Sequence, residues 1–265
     1  MTSIRRLLMA LILAVFITIW LAPAVAIISE AFSHDPAAAM ASNHHDPLLF
    51  TALANTVVVS FTASLLACTL GATAGYALSK KRFYGRKLLF GALLASVFIP
   101  PTVMMAPMFR ITASLGIYDT LAALILPASA SGFAIVFMKV AIDRIPASVI
   151  DAAHIDGLGE VGTFARIVLP QVRAPLAALF IIEMISNWGA LAVPLAVIDR
   201  PENYTLTLSM IAAGNSLTPE PRARMLLLTA LIVLPAVALF LLKAREAISG
   251  TLSTYFKYER IDADT

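Results

Sequence analysis

The feature that most limits how this chain can fold is a series of six apolar runs, each about as long as a lipid bilayer is thick. They occupy about residues 7–28, 53–78, 88–109, 120–142, 174–198 and 225–242. A helix needs ~20 residues to cross the hydrocarbon core, and it satisfies its own backbone hydrogen bonds there. A soluble domain is excluded, because 60% of the residues are hydrophobic and only 13% are charged. The sequence therefore predicts an all-α membrane protein with six transmembrane helices, folded as a single domain over residues 1–265.

The basic residues are distributed unevenly between the two ends of these runs. If the N-terminus lies inside, 15 of the 19 Lys and Arg residues fall on inside segments, with a dense group at residues 80–87. Since cytoplasmic loops carry such an excess, both termini of this multi-pass chain are expected in the cytoplasm. Nucleic acid is not an expected partner, because a nucleic-acid surface would interleave these cations with aromatic residues on one soluble face.

The first run leaves an alternative open. Arg5-Arg6, the apolar stretch and Ala24-Val25-Ala26 together imitate a secretory signal peptide with a cleavage site. The stretch covers residues 7–28, whereas the apolar region of a signal peptide is usually ~7–15 residues long, which favours a retained span. Cleavage would leave five helices in the same orientation.

Sequence motifs for catalysis or metal binding are missing. We find no phosphate-binding Gly-Lys-Ser/Thr loop, no HExxH and no Gly-x-Ser-x-Gly. His34, His44 and His45 in the first outside loop could hold a metal, but their spacing favours a solvated loop. The lone Cys68 lies inside the second run, where a small apolar packing role is expected. The chain is therefore expected to be no enzyme, with no catalytic residue, metal or cofactor of its own.

The longest inside connection, residues 143–173, predicts two short helices joined by a glycine-rich bend. Ser148 and Asp151 form an S-x-x-D capping pattern, and Gly157 supplies a left-handed helix end. The second helix carries an apolar stripe and ends at a proline: Phe164, Ile167, Val168 and Pro170. Small residues in an exposed helix, bend and helix suit insertion into a cleft of a partner. An ordinary amphipathic surface helix is the alternative.

The same residues carry a resemblance to a known family. Asp151-Ala152-Ala153, with Asp156-Gly157 and then Ile167-Val168-Leu169-Pro170, resembles the EAA loop of ABC importer permeases. Asp151 stands for the usual Glu and Leu158 for a common Ala. The similarity runs roughly from Asn55 to Leu242 and is closest to the sugar-importer branch, in particular the maltose-type second permease. It implies the type I importer permease fold, an extra N-terminal helix plus a five-helix core, with a cytoplasmic coupling helix.

The resemblance also implies partners and roles. The expected partners are a second permease subunit in a heterodimer, two ATPase subunits that hold ATP and Mg, and an extracytoplasmic solute-binding protein, all at the bacterial inner membrane. Transmission to the ATPase is expected from residues of the EAA loop, namely Asp151, Ala152, Ala153, Asp156 and Gly157. The two aspartates would contact polar or basic groups of the ATPase, with self-capping as a rival role for Asp151.

The fifth run holds the candidate translocation path. The family's Trp-Asn-Glu-Phe corresponds to Trp188-Gly189-Ala190-Leu191, so the polar pair is lost. Glu183 is the only acidic residue in the six runs, and it shares a helical face with Asn187 and Ala190. We expect Glu183, Asn187, Trp188 and Ala190 to line the path. A carboxylate satisfied by a neighbouring helix is the alternative for Glu183.

These observations predict the permease subunit of an ATP-driven importer, forming half of the path for a sugar or sugar-like solute. A polyol, a polyamine or a phosphorylated compound is the alternative solute. A stand-alone secondary carrier would need coupling-ion sites and broken helices in inverted repeats. Pro100-Pro101 in the third run hints at a break, but one acidic residue in six runs is little support for ion coupling.

Overall fold

The computed structural model describes residues 47–214 without a gap, together with residues 18, 22, 25, 26, 29, 225, 228–235 and 237. The first and last expected spans, 7–28 and 225–242, lie largely outside the described residues. Contacts divide the chain into two units, one of Asp46–Ser209 and one of Met1–His45 with Met210–Thr265. The sites described below lie within the first unit.

The described part of the chain is helical and holds no strand, as the sequence predicts. A π-helical turn occupies Phe164–Val168, and a 3-10 turn occupies Pro201–Asn203. In chain order the α-helices are α1 (Pro47–Lys80), α2 (Arg86–Ser96), α3 (Met105–Ser114), α4 (Ala122–Ser129), α5 (Gly132–Asp143), α6 (Ala147–Ile155), α7 (Glu160–Thr163), α8 (Leu169–Gln171), α9 (Arg173–Trp188), α10 (Ala192–Val197) and α11 (Leu206–Gly214). We call the connection between α5 and α9, residues 143–173, the coupling segment.

Two stretches of the described chain are long and apolar enough to cross a bilayer. They are Leu48–Lys80, 33 residues, and Ala122–Asp143, 22 residues, which combines α4 and α5. A third is present if Glu160–Gln171 and Arg173–Trp188, which meet at an angle of 78°, count as one bent span. These stretches correspond to the second, fourth and fifth apolar runs.

The long helix α1 is the centre of the described unit and packs against α4, α5 and α9. Its contact with α5 depends on two glycines. A Cβ on Gly71 would lie 2.9 Å from the carbonyl oxygen of Ala134, and a Cβ on Gly75 would lie 2.8 Å from the backbone nitrogen of Lys139. The absence of a side chain at both positions therefore allows the two backbones to approach closely. Cys68 is buried in the apolar cluster beside this contact, as expected.

The third apolar run is not one continuous helix. The chain forms α2, then a series of tight turns over residues 97–104, and then α3. Pro100 and Pro101 lie in these turns, and a proline has no N–H to donate to the carbonyl four residues earlier. The helix is therefore interrupted at the two prolines, as the sequence suggests. The interruption leaves irregular backbone inside an apolar run.

Candidate functional site

The end of α6 has the predicted left-handed geometry. Gly157 has a φ of +83°. Its N–H donates to the carbonyl of His154 at 3.0 Å, and the N–H of Leu158 donates to the carbonyl of Ala153 at 3.0 Å. This pair of bonds is a Schellman motif, which satisfies carbonyls that the helix end would otherwise leave without partners. Glycine adopts this backbone conformation without strain.

The start of α6 differs from the sequence prediction. The N-cap is Pro146, with a ψ of 143°, and no side chain caps the helix. Ser148 lies inside the first turn, so the predicted S-x-x-D cap is wrong. The helix already includes Ala147, so Ser148 has helical geometry, whereas an N-cap residue stands outside the helix. The Asp151 side chain is exposed and forms no hydrogen bond or ion pair with the described residues, so it does not cap α6.

The predicted coupling residues divide between two faces of the segment. Asp151, Ala152, Asp156 and Gly157 are exposed, whereas Ala153 is buried. Ala153 therefore faces the protein core, where its small side chain permits close packing. The structure brings the other four together on the outer surface.

Large apolar side chains accompany this exposed surface. Ile155 is 86% exposed and Val161 is 81% exposed, one on each side of the bend at Gly157. Exposed apolar groups beside charged ones are typical of a surface that a partner covers. The sequence reasoning did not select either residue, because neither belongs to the motif.

Glu160 connects the coupling segment to α1. Its carboxylate accepts a hydrogen bond from the Tyr76 hydroxyl at 3.2 Å and forms an ion pair with Lys81. The Nε2 atom of His154 lies 3.7 Å from the same carboxylate. One side chain thus holds together α6, α7 and the C-terminal end of α1. The sequence prediction missed it, since its partners are far away in the chain.

A cavity of about 360 Å³ lies beside α9, opposite the break in the third run. Apolar residues from α1, α3, α4, α10 and the turns between α2 and α3 form most of its wall. The polar residues that line it are Ser96, Ser131, Glu183, Ser186, Asn187 and Thr205. A mostly apolar cavity with a few convergent polar groups is the usual form of a small-molecule site.

Three of the four predicted path residues line this cavity. Glu183 is buried and accepts a hydrogen bond from the Ser131 hydroxyl to Oε1 at 2.7 Å. Asn187 donates to the Ser64 hydroxyl at 3.3 Å, and Ala190 also lines the cavity. Trp188 is not among the lining residues, although its indole Nε1 is buried with no partner among the described residues. Glu183 therefore faces the cavity and also bonds to the α4–α5 junction.

A loop at the other end of α1 is fixed by Asp119. We call residues 199–206 the outer loop. The Asp119 carboxylate accepts from the backbone N–H groups of Asp199 and Arg200 at 3.0 and 3.1 Å, and from Arg200 Nε at 2.5 Å. Asn203 donates to the Asp119 carbonyl at 2.7 Å. Burial by itself raises the pKa of the Asp119 carboxyl, but the bonds from Arg200 and Asp199 outweigh it and hold that pKa well below its usual value.

Helix α1 holds the outer loop from the opposite side. The side-chain amide of Asn55 donates to the carbonyls of Glu202 and Tyr204 at 2.9 and 3.0 Å. The hydroxyl of Thr56 accepts from the N–H of Leu206 at 2.9 Å. The outer loop is therefore tied both to α1 and to Asp119.

A comparison of sequences identifies the family. The profile of the family described as "Binding-protein-dependent transport system inner membrane component" matches residues 67–245, which include the coupling segment and α9. The chain belongs to this family. This permease is thus a membrane-embedded component of a transport system that works with a binding protein, and the resemblance inferred from its sequence is confirmed.

Individual relatives and a solved structure agree with this family assignment. The permease is 31% identical to the arabinooligosaccharides transport system permease protein AraQ of Halalkalibacterium halodurans, over 77% of this chain and 72% of the relative. It is 29% identical to the lactose transport system permease protein LacG of Rhizobium radiobacter, over 78% of this chain and 75% of the relative. The crystal structure of a bacterial ABC transporter involved in the import of the acidic polysaccharide alginate matches with a TM-score of 0.77 and 19% identity, covering 92% of this chain and 96% of that chain. That likeness confirms the predicted importer permease fold.

Proposed function

We propose that this permease is one of two membrane subunits of an ATP-driven importer and forms half of the path for a sugar or sugar-like solute. The solute would arrive on an extracytoplasmic binding protein, and two separate ATPase subunits would hold ATP and Mg. The names of the two relatives above, which refer to arabinooligosaccharides and lactose, support the sugar class. Both termini would lie in the cytoplasm, in keeping with the distribution of Lys and Arg.

The observation that carries this proposal is the geometry of α6. The helix offers an exposed surface, with Asp151, Asp156 and Ile155 available to a partner. Its opposite face is packed into the core through Ile150 and Ala153. A helix that is free on one side and anchored on the other can pass a movement of the ATPase to the transmembrane helices. Transmission of this kind requires that the contact move as a rigid body.

The proposal is tested at Gly157. Valine is strained at a φ of +83°, by about 1–2 kcal/mol relative to glycine. No atom lies within 4 Å of the position that a Cβ would take, so the backbone strain acts without a steric clash. We expect Gly157→Val to insert and assemble normally, but to transport several-fold less solute per ATP hydrolysed in proteoliposomes of the complete transporter.

Gly157→Asn is the matched control, because asparagine tolerates the left-handed conformation. It is expected to couple ATP hydrolysis to uptake much better than the valine variant. Normal uptake by Gly157→Val would contradict the role of α6. Purification of the permease without a stoichiometric ATPase subunit would instead favour a self-sufficient carrier.

A further inference from the structure

We propose that a groove between α1 and α9 is a binding site for an anionic phospholipid, with one acyl chain in the groove and the phosphate group on Arg173. The groove shares no lining residue with the cavity on the candidate path. All of its lining residues belong to the unit Asp46–Ser209. The inference goes beyond the proposed function, which assigns no role to a lipid.

The groove is suited to a hydrocarbon chain. Its volume is about 580 Å³, and apolar side chains such as Leu65, Leu176 and Phe180 form most of its wall. Two threonines also line it, but the hydroxyl of Thr69 donates to the carbonyl of Leu65 and that of Thr73 to the carbonyl of Thr69, each at 2.8 Å. Because each hydroxyl has a single proton to donate, neither can donate to a polar solute as well.

The length of the groove matches one leaflet of a bilayer. The lining residues run from Leu65 to Thr73 on α1 and from Arg173 to Ile181 on α9. Each of these stretches covers about 12 Å along its helix. One leaflet contributes about 15 Å of hydrocarbon, whereas a helix of another subunit would cross the whole core of about 30 Å. A single acyl chain therefore fits the groove better than a transmembrane helix does.

One cation stands at the end of the groove. Arg173 is the first residue of α9 and the only charged residue that lines the groove in the described part of the chain. Its side chain is exposed and forms no hydrogen bond or ion pair with the described residues. An apolar helix packed over the groove would bury this guanidinium group without a partner, at a high cost in free energy. A phosphate group would instead pair with it through two parallel hydrogen bonds.

The position of Arg173 along the chain fits a lipid headgroup. It lies where the coupling segment meets α9, on the side that the proposed orientation places in the cytoplasm. The cytoplasmic leaflet carries the anionic headgroups, and basic pockets between transmembrane helices on that side bind them. Phe164, in the π-helical turn, also lines the groove, and its ring lies 5.3 Å from that of Tyr76. Such turns are rare and are frequently found at functional sites.

The experiment measures lipid binding to the complete transporter, purified in detergent, by native mass spectrometry. The complex is titrated with dioleoyl phosphatidylglycerol, which is anionic, and with dioleoyl phosphatidylcholine, which has the same acyl chains and no net charge. Arg173→Gln removes the cation, and Ala177→Phe places a ring in the groove. Arg144→Gln and Ala178→Phe are the matched controls, because both residues are exposed and neither lines the groove.

We expect one phosphatidylglycerol molecule for each copy of this permease to bind about fivefold more tightly than phosphatidylcholine, the value of one arginine beside an anionic headgroup. Arg173→Gln should remove this preference. Ala177→Phe should weaken the binding of both lipids at this site more than tenfold, since the loss of two buried CH₂ groups already has that effect. Both control variants should bind as wild type does. Inorganic phosphate at millimolar concentration should not compete, because the chain supplies most of the affinity.

The inference is overturned if wild type binds the two lipids equally, if Arg173→Gln keeps the preference, or if inorganic phosphate displaces the lipid. It is also overturned if Ala177→Phe, but not Ala178→Phe, loses the second permease subunit, because a protein segment would then occupy the groove. If Ala177→Phe does not insert, the comparison of Arg173→Gln with Arg144→Gln decides. These measurements need no uptake, so failure of the proposed function is detected separately, as a wild-type complex without ATP-dependent uptake.

Discussion

The buried carboxylate of Asp119 offers the most quantitative test of the structure. In Asp119→Ala, the backbone N–H groups of Asp199 and Arg200 lose their acceptor, at a cost of about 1–2 kcal/mol for the pair, because both are only partly buried. Alanine also takes on the φ of +57°, which costs about 1–2 kcal/mol more. The ion pair with Arg200 adds little, since that side chain is 68% exposed. The total is a destabilisation of roughly 2–4 kcal/mol.

Asp119→Asn is the matched variant for this prediction. An asparagine oxygen can still accept the two backbone N–H groups, and asparagine tolerates positive φ. Its Nδ2 then replaces Oδ2, the atom that accepts from Arg200 Nε, so the hydrogen bond and the ion pair with that exposed side chain are lost. The expected loss is well below that of Asp119→Ala, because an exposed ion pair contributes little. Thermal unfolding of the purified transporter in detergent measures both variants. Using the relation for soluble domains, a loss of about 2–4 kcal/mol corresponds to roughly 4–16 °C.

The pH dependence of the same comparison follows from the lowered pKa of Asp119. A carboxyl whose pKa is lower in the folded state contributes its full stabilisation above the unfolded pKa, which is about 3.9 for Asp, and loses it as the pH falls below that value. The difference between wild type and Asp119→Asn should therefore be constant from about pH 5 to 8 and shrink only under more acidic conditions. Equal stability of the alanine and asparagine variants, or a difference that varies between these pH values, would refute the reasoning.

Two further predictions concern α1. Gly75→Leu forces a side chain against the backbone of Lys139, so we expect a loss of about 1–3 kcal/mol in thermal unfolding. Gly91→Leu has no neighbour within 4 Å and should be near neutral, and equal effects would argue against the α1–α5 contact. Glu160→Gln removes the ion pair that joins the coupling segment to α1, so uptake per ATP in proteoliposomes should fall several-fold. Tyr76→Phe loses one hydrogen bond worth about 1 kcal/mol, so its uptake per ATP should fall less. If uptake per ATP is unchanged in both variants, the bond between Glu160 and α1 has no part in coupling.

The sequence was sufficient to predict a helix where an apolar run has no helix-breaking residue. A run such as 53–78 has no alternative to a helix in lipid, and α1 covers it completely. The third run was harder, because prolines also occur within intact membrane helices, where neighbouring groups satisfy the freed carbonyls. Whether Pro100 and Pro101 bend a helix or end it depends on what surrounds them. That information lies in the packing rather than in the run itself.

In the candidate sites, too, features set by neighbouring residues were predictable from the sequence, and features set by residues far away in the chain were not. Gly157 was predictable, because a left-handed helix end is determined by a few adjacent residues. Glu160 and Asp119 were not, because their main partners lie 84 and 81 positions away, at Tyr76 and Arg200. The sequence also did not predict which residues of α6 are exposed. Ala153 is buried and Ile155 is exposed because they lie on different sides of the helix. The motif identified the helix but not the surface that it presents.

Helix α1 joins the two fixed regions of the unit. Its N-terminal part bonds to the outer loop through Asn55, and its C-terminal part bonds to the coupling segment through Tyr76. These residues are about 30 Å apart along an unbroken helix, close to the thickness of the hydrocarbon core. A displacement of the coupling segment would therefore carry the outer loop with it, because no hinge interrupts α1. Helix α1 and the break in the third run both line the cavity, through Val59 and Ile99. Movement of a rigid helix past a broken one would change the shape of the cavity between them, and in the proposed function this would bring the path under the control of the coupling segment.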